Sequence, residues 1–591
     1  MIYLGIHVGH NASACLMIDG NIVLALHEER FNKIKNFTGY PKKSIDYCKT
    51  YLKKKKLKID KAAFSTIKHP PIEFKYPLGN FMSVADWHNY FENYYKPQKN
   101  FITKILNKNK NKNLKKLIYP YNKIKNNQLH DTSVYRKISK DFLSKQIGLN
   151  QKKIYFLDHH LCHSYYAYFS AEKRHKKACV VTIDSWGDDC NQSLWIPTNN
   201  GDLKRITSSD QCDLARIYRF ITLILGMKPN EHEFKVMGLS AYSNQKYFYP
   251  IYKNIFKKIL KFQGLKLVHS NRPKDLYNYL KKGVANYRFD NIAGAVQFYI
   301  EETVSELLIK IYKKYNIKNF YFSGGLSMNV KMYNYLLKKN FVKFLHCPPS
   351  ASDESLCIGA CYYLSRQEKS SPISNINLGR KLMSDDSDIN LNIINKLLGE
   401  KKLIINKNVS IKNIAKLLHN GEIIAVARGR EEFGARALGN RSIICNPNNL
   451  DQVRRINKKI KSRDFWMPFA LTILKEDHKK YIKNNKNIES NFMTIAFETK
   501  KKYFNNIKAG CHNYDQTVRP QILSKKHNLN YYKLLSEFKK ISKIPALLNT
   551  SLNLHGDPKA SDIKSVIRTF LNSDLDYLYL EDKYLIKKKN V

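Results

Sequence analysis

The chain has 591 residues, 43% of them hydrophobic, which suits about two to four domains with ordinary cores. A formal charge of +53 and a pI near 9.7 would suit a nucleic-acid protein, but 83 of the 102 basic residues are Lys and 19 are Arg, mixed with abundant Asn, Ile and Tyr. That profile is a coding bias spread over solvated surface, so nucleic acid is not an expected partner.

The 11 cysteines are scattered, odd in number and free of Cys-x-x-Cys pairs, which points to reduced thiols in a cytoplasmic protein. Met1 leads straight into Ile2–Gly5 without a basic leader, so no signal peptide is expected. The most apolar helical run, Leu214 to Met227, is broken by Arg216 and Arg219, so no membrane span is expected either.

In chain order, Ile2–Val8 reads as a strand, Gly9–Ser13 as a polar turn, and Ala14–Ile18 with Ile22–Glu28 as a hairpin around Asp19-Gly20-Asn21. A strand, a polar loop and a hairpin suggest a nucleotide-binding fold of the actin and sugar-kinase type, with the loop facing phosphates. A helix follows Pro41. The Lys/Asn-rich stretch at about 94–128 reads as a surface insertion.

Asp158 is a good N-cap, and the helix it begins places His159 and His163 four residues apart on one face, where two imidazoles can serve one metal ion. Ala178–Ile183 is a buried strand that delivers Asp184 into a loop through Asp188, and Glu233–Leu239 reads as a charged turn. A long amphipathic helix is expected from about Asn291 to Tyr315. Phe320–Phe322 then leads into Ser323-Gly324-Gly325 and a helix start near Asn329, where backbone N–H groups can approach a phosphate. Asp353 stands at a further junction. His159, His163, Asp184 and Asp353 form a His₂Asp₂ set for a borderline divalent ion, Fe(II) first, with Mn, Zn or Mg as other choices.

Residues 367–388 lack periodicity and are taken as the linker between an N-terminal domain at 1–366 and a C-terminal one at 389–591. Between Arg428 and Arg463 stand seven Arg against three Lys, a reversal that coding bias cannot produce. The stretch Gly429–Ser442 is punctuated by glycine, and a guanidinium fork suits a bidentate grip on phosphate or carboxylate. The bland alternative is a basic loop whose arginines pair structurally with Glu431 and Glu432. Arg519-Pro520-Gln521 and Leu548–Ser551 read as loop tips facing the same pocket.

Taken together, His10-Asn11-Ala12-Ser13, Glu28–Phe31, His159–His163, Glu233 with Lys235–Leu239, Ser323–Gly325, Gly429–Ser442, Lys461–Arg463, Arg519–Gln521 and Asn549–Ser551 give a chain that resembles the O-carbamoyltransferase family along nearly its whole length. That family includes carbamoyltransferases of nodulation factors and of antibiotics. The chain departs from its pattern at Ala435, where Pro is usual, at Ser185, Ser352 and Ser355, where Gly is usual, and at Asn11, often Asp.

The resemblance implies an α/β protein with an N-terminal actin-like ATPase (Kae1-like) domain of duplicated ribonuclease H-like halves and a C-terminal YrdC-like domain. The second would make carbamoyl-adenylate from carbamoyl phosphate and Mg-ATP. The first would pass the carbamoyl group to a hydroxyl of a sugar, glycan or secondary metabolite. By motif, His159, His163, Asp184 and Asp353 would hold the metal, His10 would be the base, and Lys235, Gly324, Gly325 and Asn329 would contact the nucleotide. Arg430, Arg436, Arg441, Lys461, Arg463, Arg519, Asn549 and Ser551 would grip carbamoyl phosphate and ATP, with Arg436 and Lys461 catalytic. The alternatives are threonylcarbamoyl-type tRNA modification and a non-catalytic nucleotide-binding protein.

Overall fold

The computed structural model describes residues 1–68, 82–94, 132–271, 273–383, 391–398 and 403–588. Of the expected insertion at 94–128, only residue 94 falls among them.

The first sheet joins β1 (Ile2–His7), β2 (Ser13–Ile18), β3 (Asn21–His27), β4 (Lys61–Phe64) and β5 (Ile154–Phe156) in the order 3-2-1-4-5. β1, β2 and β3 are antiparallel neighbours, whereas β4 and β5 run parallel to β1. The second sheet repeats this plan. It uses β6 (Cys179–Gly187), β7 (Cys190–Pro197) and β8 (Leu203–Ser209), then, beyond a small hairpin of β9 (Leu260–Gln263) and β10 (Lys266–His269), β11 (Asn319–Ser323) and β12 (Phe344–His346). β6–β7–β8 are antiparallel and β11 and β12 are parallel to β6, so both sheets share one strand order and one pattern of strand sense.

Two helices fill the space between these sheets: His159–Phe169, capped by Asp158 Oδ1 on the Leu161 N–H, and Leu356–Leu364. They approach so closely that a Cβ on Gly359 would lie 1.9 Å from the Cys162 carbonyl oxygen, and one on Gly5 of β1 would lie 1.9 Å from that of Cys357. Only glycine fits at these two contacts, and the contacts set the depth of His159, His163 and Asp353.

The third sheet has eight strands in the order β13-β22-β21-β14-β15-β20-β16-β19. In chain order these are β13 (Leu403–Asn406), β14 (Ile424–Ala427), β15 (Arg441–Cys445), β16 (Ala470–Leu474), β19 (Pro520–Leu523), β20 (Ala546–Ser551), β21 (Tyr577–Leu580) and β22 (Tyr584–Lys588); β17 (Phe497–Glu498) and β18 (Thr517–Val518) form a separate pair. Of the expected linker, residues 367–383 are described, and they form a packed strap. Ile373, Ile376, Leu378 and Leu382 are buried, the Leu378 carbonyl accepts from the Ala25 N–H, and the Leu382 carbonyl accepts from the Ile563 N–H.

Three local expectations need correction. Glu233–Leu239 is a helix rather than a turn. β6 continues through Asp184 to Gly187, carrying a bulge where a loop was expected. Asn549, Thr550 and Ser551 end one buried strand and Pro520 and Gln521 begin another, rather than forming loop tips, because both segments pair within the third sheet. The 11 cysteines are free and buried. No helix among the described residues is long and apolar enough to cross a membrane.

Candidate functional site

The helix from Asp158 brings His159 and His163 to the ends of two strands and of a helix turn. Ligand atoms of His159, His163, Asp184 and Asp353 all lie within 4.8 Å of one another. His163 Nε2 is 3.3 Å from Asp184 Oδ2 and 3.5 Å from Asp353 Oδ1, and His159 Nε2 is 3.7 Å from the latter. His159 Nε2, His163 Nε2 and Asp353 Oδ1 are buried without hydrogen-bond partners. Buried polar atoms are rarely left so, and three converging on one point fit a cation.

The electrostatics agree. Burial alone would lower the His163 pKa, but the nearby carboxylates of Asp184 and Asp353 push it up to about 9. His163, His159 and His7 in turn hold Asp353 far below the carboxylate range against its own burial. The cluster attracts positive charge, and the donor set of two imidazoles and two carboxylates suits a borderline divalent ion.

Residues outside this set orient it. Ser323 Oγ lies 2.9 Å from His163 Nδ1 and donates its own hydrogen to the Ala351 carbonyl at 3.1 Å. Asp188, at φ 48°, accepts from the N–H groups of Ile67, Lys68 and His159 and from the Thr66 hydroxyl, which fixes the first turn of the histidine helix. Neither residue type carried a legible signal in the sequence.

His10 lies in the loop after β1 and faces the same cavity, with no side-chain partner among the described residues. Burial lowers its pKa, opposed by Asp353 and Asp184, so the ring is neutral near pH 7. The loop is pinned by His7, whose Nε2 donates to the His10 carbonyl at 3.0 Å while Ser65 Oγ lies 3.0 Å from its Nδ1. Beside it, Glu354 is pushed by burial up to about 7 and takes hydrogen bonds from Ser350 and Asn11.

Across the cavity stand Arg436, Lys461, Arg463 and Arg519. Burial lowers Arg436 and Arg463 to about 10, and it lowers Lys461 and Arg519 well below their usual values, with the neighbouring cations adding to the effect. Lys461 Nζ donates to Ser551 Oγ and Asn553, and Arg463 donates to the Pro468 carbonyl and Thr550 Oγ1. Arg436 and Arg519 make no side-chain hydrogen bond among the described residues. Four converging cations without a bonded carboxylate need an anion.

The loop bearing Arg436 is held from behind. Lys559 Nζ donates to the carbonyls of Glu432 and Arg436 and pairs with Glu432 Oε2 at 3.2 Å; Glu432 Oε1 accepts from the N–H groups of Leu438, Asn440 and Arg441. Lys559 is lowered by burial to about 8, and Glu432, despite burial, falls to about 2 beside it.

One cavity of about 990 Å³ is lined by His10, Asp184 and Asp353 on one side and by Arg436, Lys461, Arg463, Arg519 and Ser551 on the other. Lys235, Gly325 and Asn329 line the cavity as well, Lys235 pairing with Asp464 at 2.9 Å.

Several expected contacts do not reach this cavity. Arg441 is fully buried and spends its donors on the carbonyls of Arg428, Gly429, Asn440 and Ser561. Arg430 does the same with Gly379, Leu378 and Val23, so both are structural, though through backbone carbonyls rather than the expected pairs with Glu431 and Glu432, which pair with Arg30, Arg380 and Lys559. Asn549 is buried on β20 and donates to the Ala437 carbonyl and Thr472 Oγ1. The paired glycines also differ from expectation, since the Gly324 N–H donates to the Ala351 carbonyl and the Gly325 N–H to Asp184 Oδ2, leaving neither for a phosphate.

Residues 3–362 match the family model for the carbamoyltransferase N-terminus, and residues 415–588 match that for the carbamoyltransferase C-terminus. The chain is 31% identical to the uncharacterized protein MJ1051 of Methanocaldococcus jannaschii over 591 residues, 99% of each chain. It is 25% identical to the nodulation protein NolNO of Sinorhizobium fredii, over 98% of this chain and 79% of that one. Among solved structures, full-length HypF in its phosphate- and nucleotide-bound form aligns with 62% of this chain and 55% of its own at 11% identity, with a TM-score of 0.32.

Proposed function

From its membership of the carbamoyltransferase family, which the matches over residues 3–362 and 415–588 establish, we propose that this chain is an ATP-dependent O-carbamoyltransferase with two reaction centres in one cavity. Residues 1–366 would be the Kae1-like, actin-like ATPase-type domain and residues 389–591 the YrdC-like domain, with the packed strap between them.

The observation that carries the reading is the single cavity with Asp184 and Asp353 of the His₂Asp₂ cluster on one wall and four cations without a bonded carboxylate on the other. On the cationic side, Arg436, Lys461, Arg463 and Arg519 bind the phosphoryl groups of carbamoyl phosphate and ATP. Fixed cations there stabilise the charge that gathers on the leaving groups. Carbamoyl phosphate, water and ATP give carbamoyl-adenylate, phosphate and pyrophosphate. The adenylate need only shift within the cavity, where Lys235 and Asn329 line the path.

On the opposite side, His10 takes the proton of an acceptor hydroxyl as its oxygen bonds to the carbamoyl carbon and AMP departs. A neutral imidazole near pH 7 suits that role. His159, His163, Asp184 and Asp353 would hold a divalent ion, which supplies Lewis acidity toward a phosphate or carbonyl oxygen when bound. The acceptor is a hydroxyl of a sugar, glycan or secondary metabolite.

The test is pyrophosphate release from ATP that depends on carbamoyl phosphate, followed with no acceptor present. Release that ignores carbamoyl phosphate would contradict the reading.

A further inference from the structure

Arg436 makes no side-chain hydrogen bond among the described residues, and its charge repels those of Arg463 and Arg519 beside it. A cation that nothing bonds directly, set among others of like charge, is placed by its backbone. What holds that backbone is therefore part of the site.

The fixed point is Gly434, two residues earlier, and the groups that hold it come from the first sheet rather than the third. The Gly434 N–H donates at 3.1 Å to Nε2 of His27, the last residue of β3, and the Gly434 carbonyl accepts from Nη2 of Arg30 at 3.0 Å. The His27 ring also lies 4.4 Å from that of Phe433. Burial, with Arg30 and Lys559 nearby, lowers the His27 pKa well below its usual value, so the ring is neutral and Nε2 can accept. Gly434 has a φ of 88°, and a Cβ on it would lie 2.5 Å from Ser350 Oγ, so the loop sits flush against that residue.

Arg30 reaches further. It is buried, and its Nη1 donates to the Lys559 carbonyl at 3.2 Å, while Lys559 Nζ holds the Glu432 and Arg436 carbonyls. One guanidinium thus grips both chain segments that present Arg436, and Glu29 pairs with it at 3.1 Å. The same strand end supports the opposite centre. The Glu28 N–H donates to the Ala12 carbonyl at 2.9 Å, and Ser13 is the partner of His27 in the β2–β3 ladder, directly after the loop that carries His10.

We propose that His27 and Arg30 are positioning residues for Arg436, which set the anion site from the strand end that also anchors the His10 loop, so that the two centres share one support. This rests on the reading of Arg436 as a phosphate-binding residue and adds what places it.

The probe is pyrophosphate, titrated calorimetrically into the full chain. His27→Leu removes the acceptor for the Gly434 N–H, and Arg30→Lys keeps the charge beside Glu29 but cannot fork to both carbonyls. Each should bind pyrophosphate about tenfold more weakly than the parent, and His27→Gln, whose amide oxygen can accept, should recover most of the loss. In an Arg436→Ala background neither change should weaken binding further, because both act through that side chain, whereas a general loosening of the fold would add to the loss. Thermal unfolding midpoints check that each variant is folded, and Arg30→Lys, which strands no charge, carries the test if His27→Leu is not. The proposal is overturned if the parent does not bind pyrophosphate, if either folded variant binds it as tightly as the parent, or if the losses add to that of Arg436→Ala. Pyrophosphate release dependent on carbamoyl phosphate is measured separately on the parent chain. A chain that binds pyrophosphate through this linkage yet releases none would contradict the adenylation reading and still support the positioning role.

Discussion

Ser323 fixes the tautomer of His163. Its Oγ gives its hydrogen to the Ala351 carbonyl, so the bond to His163 Nδ1 must be donated by the imidazole, and Nε2, turned to Asp184 and Asp353, is the nitrogen whose lone pair a bound cation would take. A serine hydroxyl at the end of β11 thereby decides what a histidine on a different element can do.

The first prediction follows from this relay. His159→Ala or His163→Ala should lose the metal outright, whereas Ser323→Ala should weaken its binding by about 10–100-fold with the fold intact. Elemental analysis after titration with a chelator separates these cases. Full occupancy in both histidine variants would remove the assignment.

A second prediction divides the two centres. Arg436→Ala should abolish pyrophosphate release dependent on carbamoyl phosphate, because a fixed cation at a reacting phosphate is worth about 10²-fold or more. His10→Ala should retain that release and lose carbamoyl transfer to an acceptor by about 10²-fold or more. The opposite pattern would show that the proposed division of labour is wrong.

The third concerns the support behind Arg436. Lys559→Met leaves Glu432 buried without its cation, which should cost about 3–5 kcal/mol of stability. The paired change Lys559→Met with Glu432→Gln should recover part of the loss, since no charge is then stranded. Chemical denaturation of the single and double variants measures it, and a single variant as stable as its parent would contradict the role given to the pair.

The fourth is a dependence on pH. Burial pushes His346 from 6.5 down to about 4, and its Nε2 has no hydrogen-bond partner. The folded chain therefore binds fewer protons than the unfolded chain across that window, and stability rises with pH through it and is lost on acidification. His346→Phe should shrink the drop in stability between pH 7 and pH 5 by on the order of 1–2 kcal/mol. An unchanged drop in denaturation curves at the two pH values would place the acid sensitivity elsewhere.

Much of the site was legible in the sequence. Spacing along a helix put His159 and His163 together, and the local excess of Arg over Lys marked the stretch that carries Arg436 and Arg463. Both signals are short-range: a helical period and a composition shift survive without knowledge of the fold. The same composition signal also swept in Arg430 and Arg441, which differ from Arg436 in where the fold turns them, Arg441 into the buried start of β15.

Tertiary structure decided the rest. Sequence could not tell that Arg441 is spent on four carbonyl groups while Arg436 is free for an anion, nor that the Gly324 and Gly325 N–H groups already have partners. Ser323, Asp188, His7, Glu432 and Lys559 matter because of which groups they meet, and those partners lie up to 160 residues away, as between Ser323 and His163. A lone serine or lysine carries no local signature of such a meeting. Above all, sequence did not place the metal cluster and the cations around one cavity, because that depends on how three sheets pack, and the packing is set by close contacts such as Gly359 against Cys162 that only the folded chain contains.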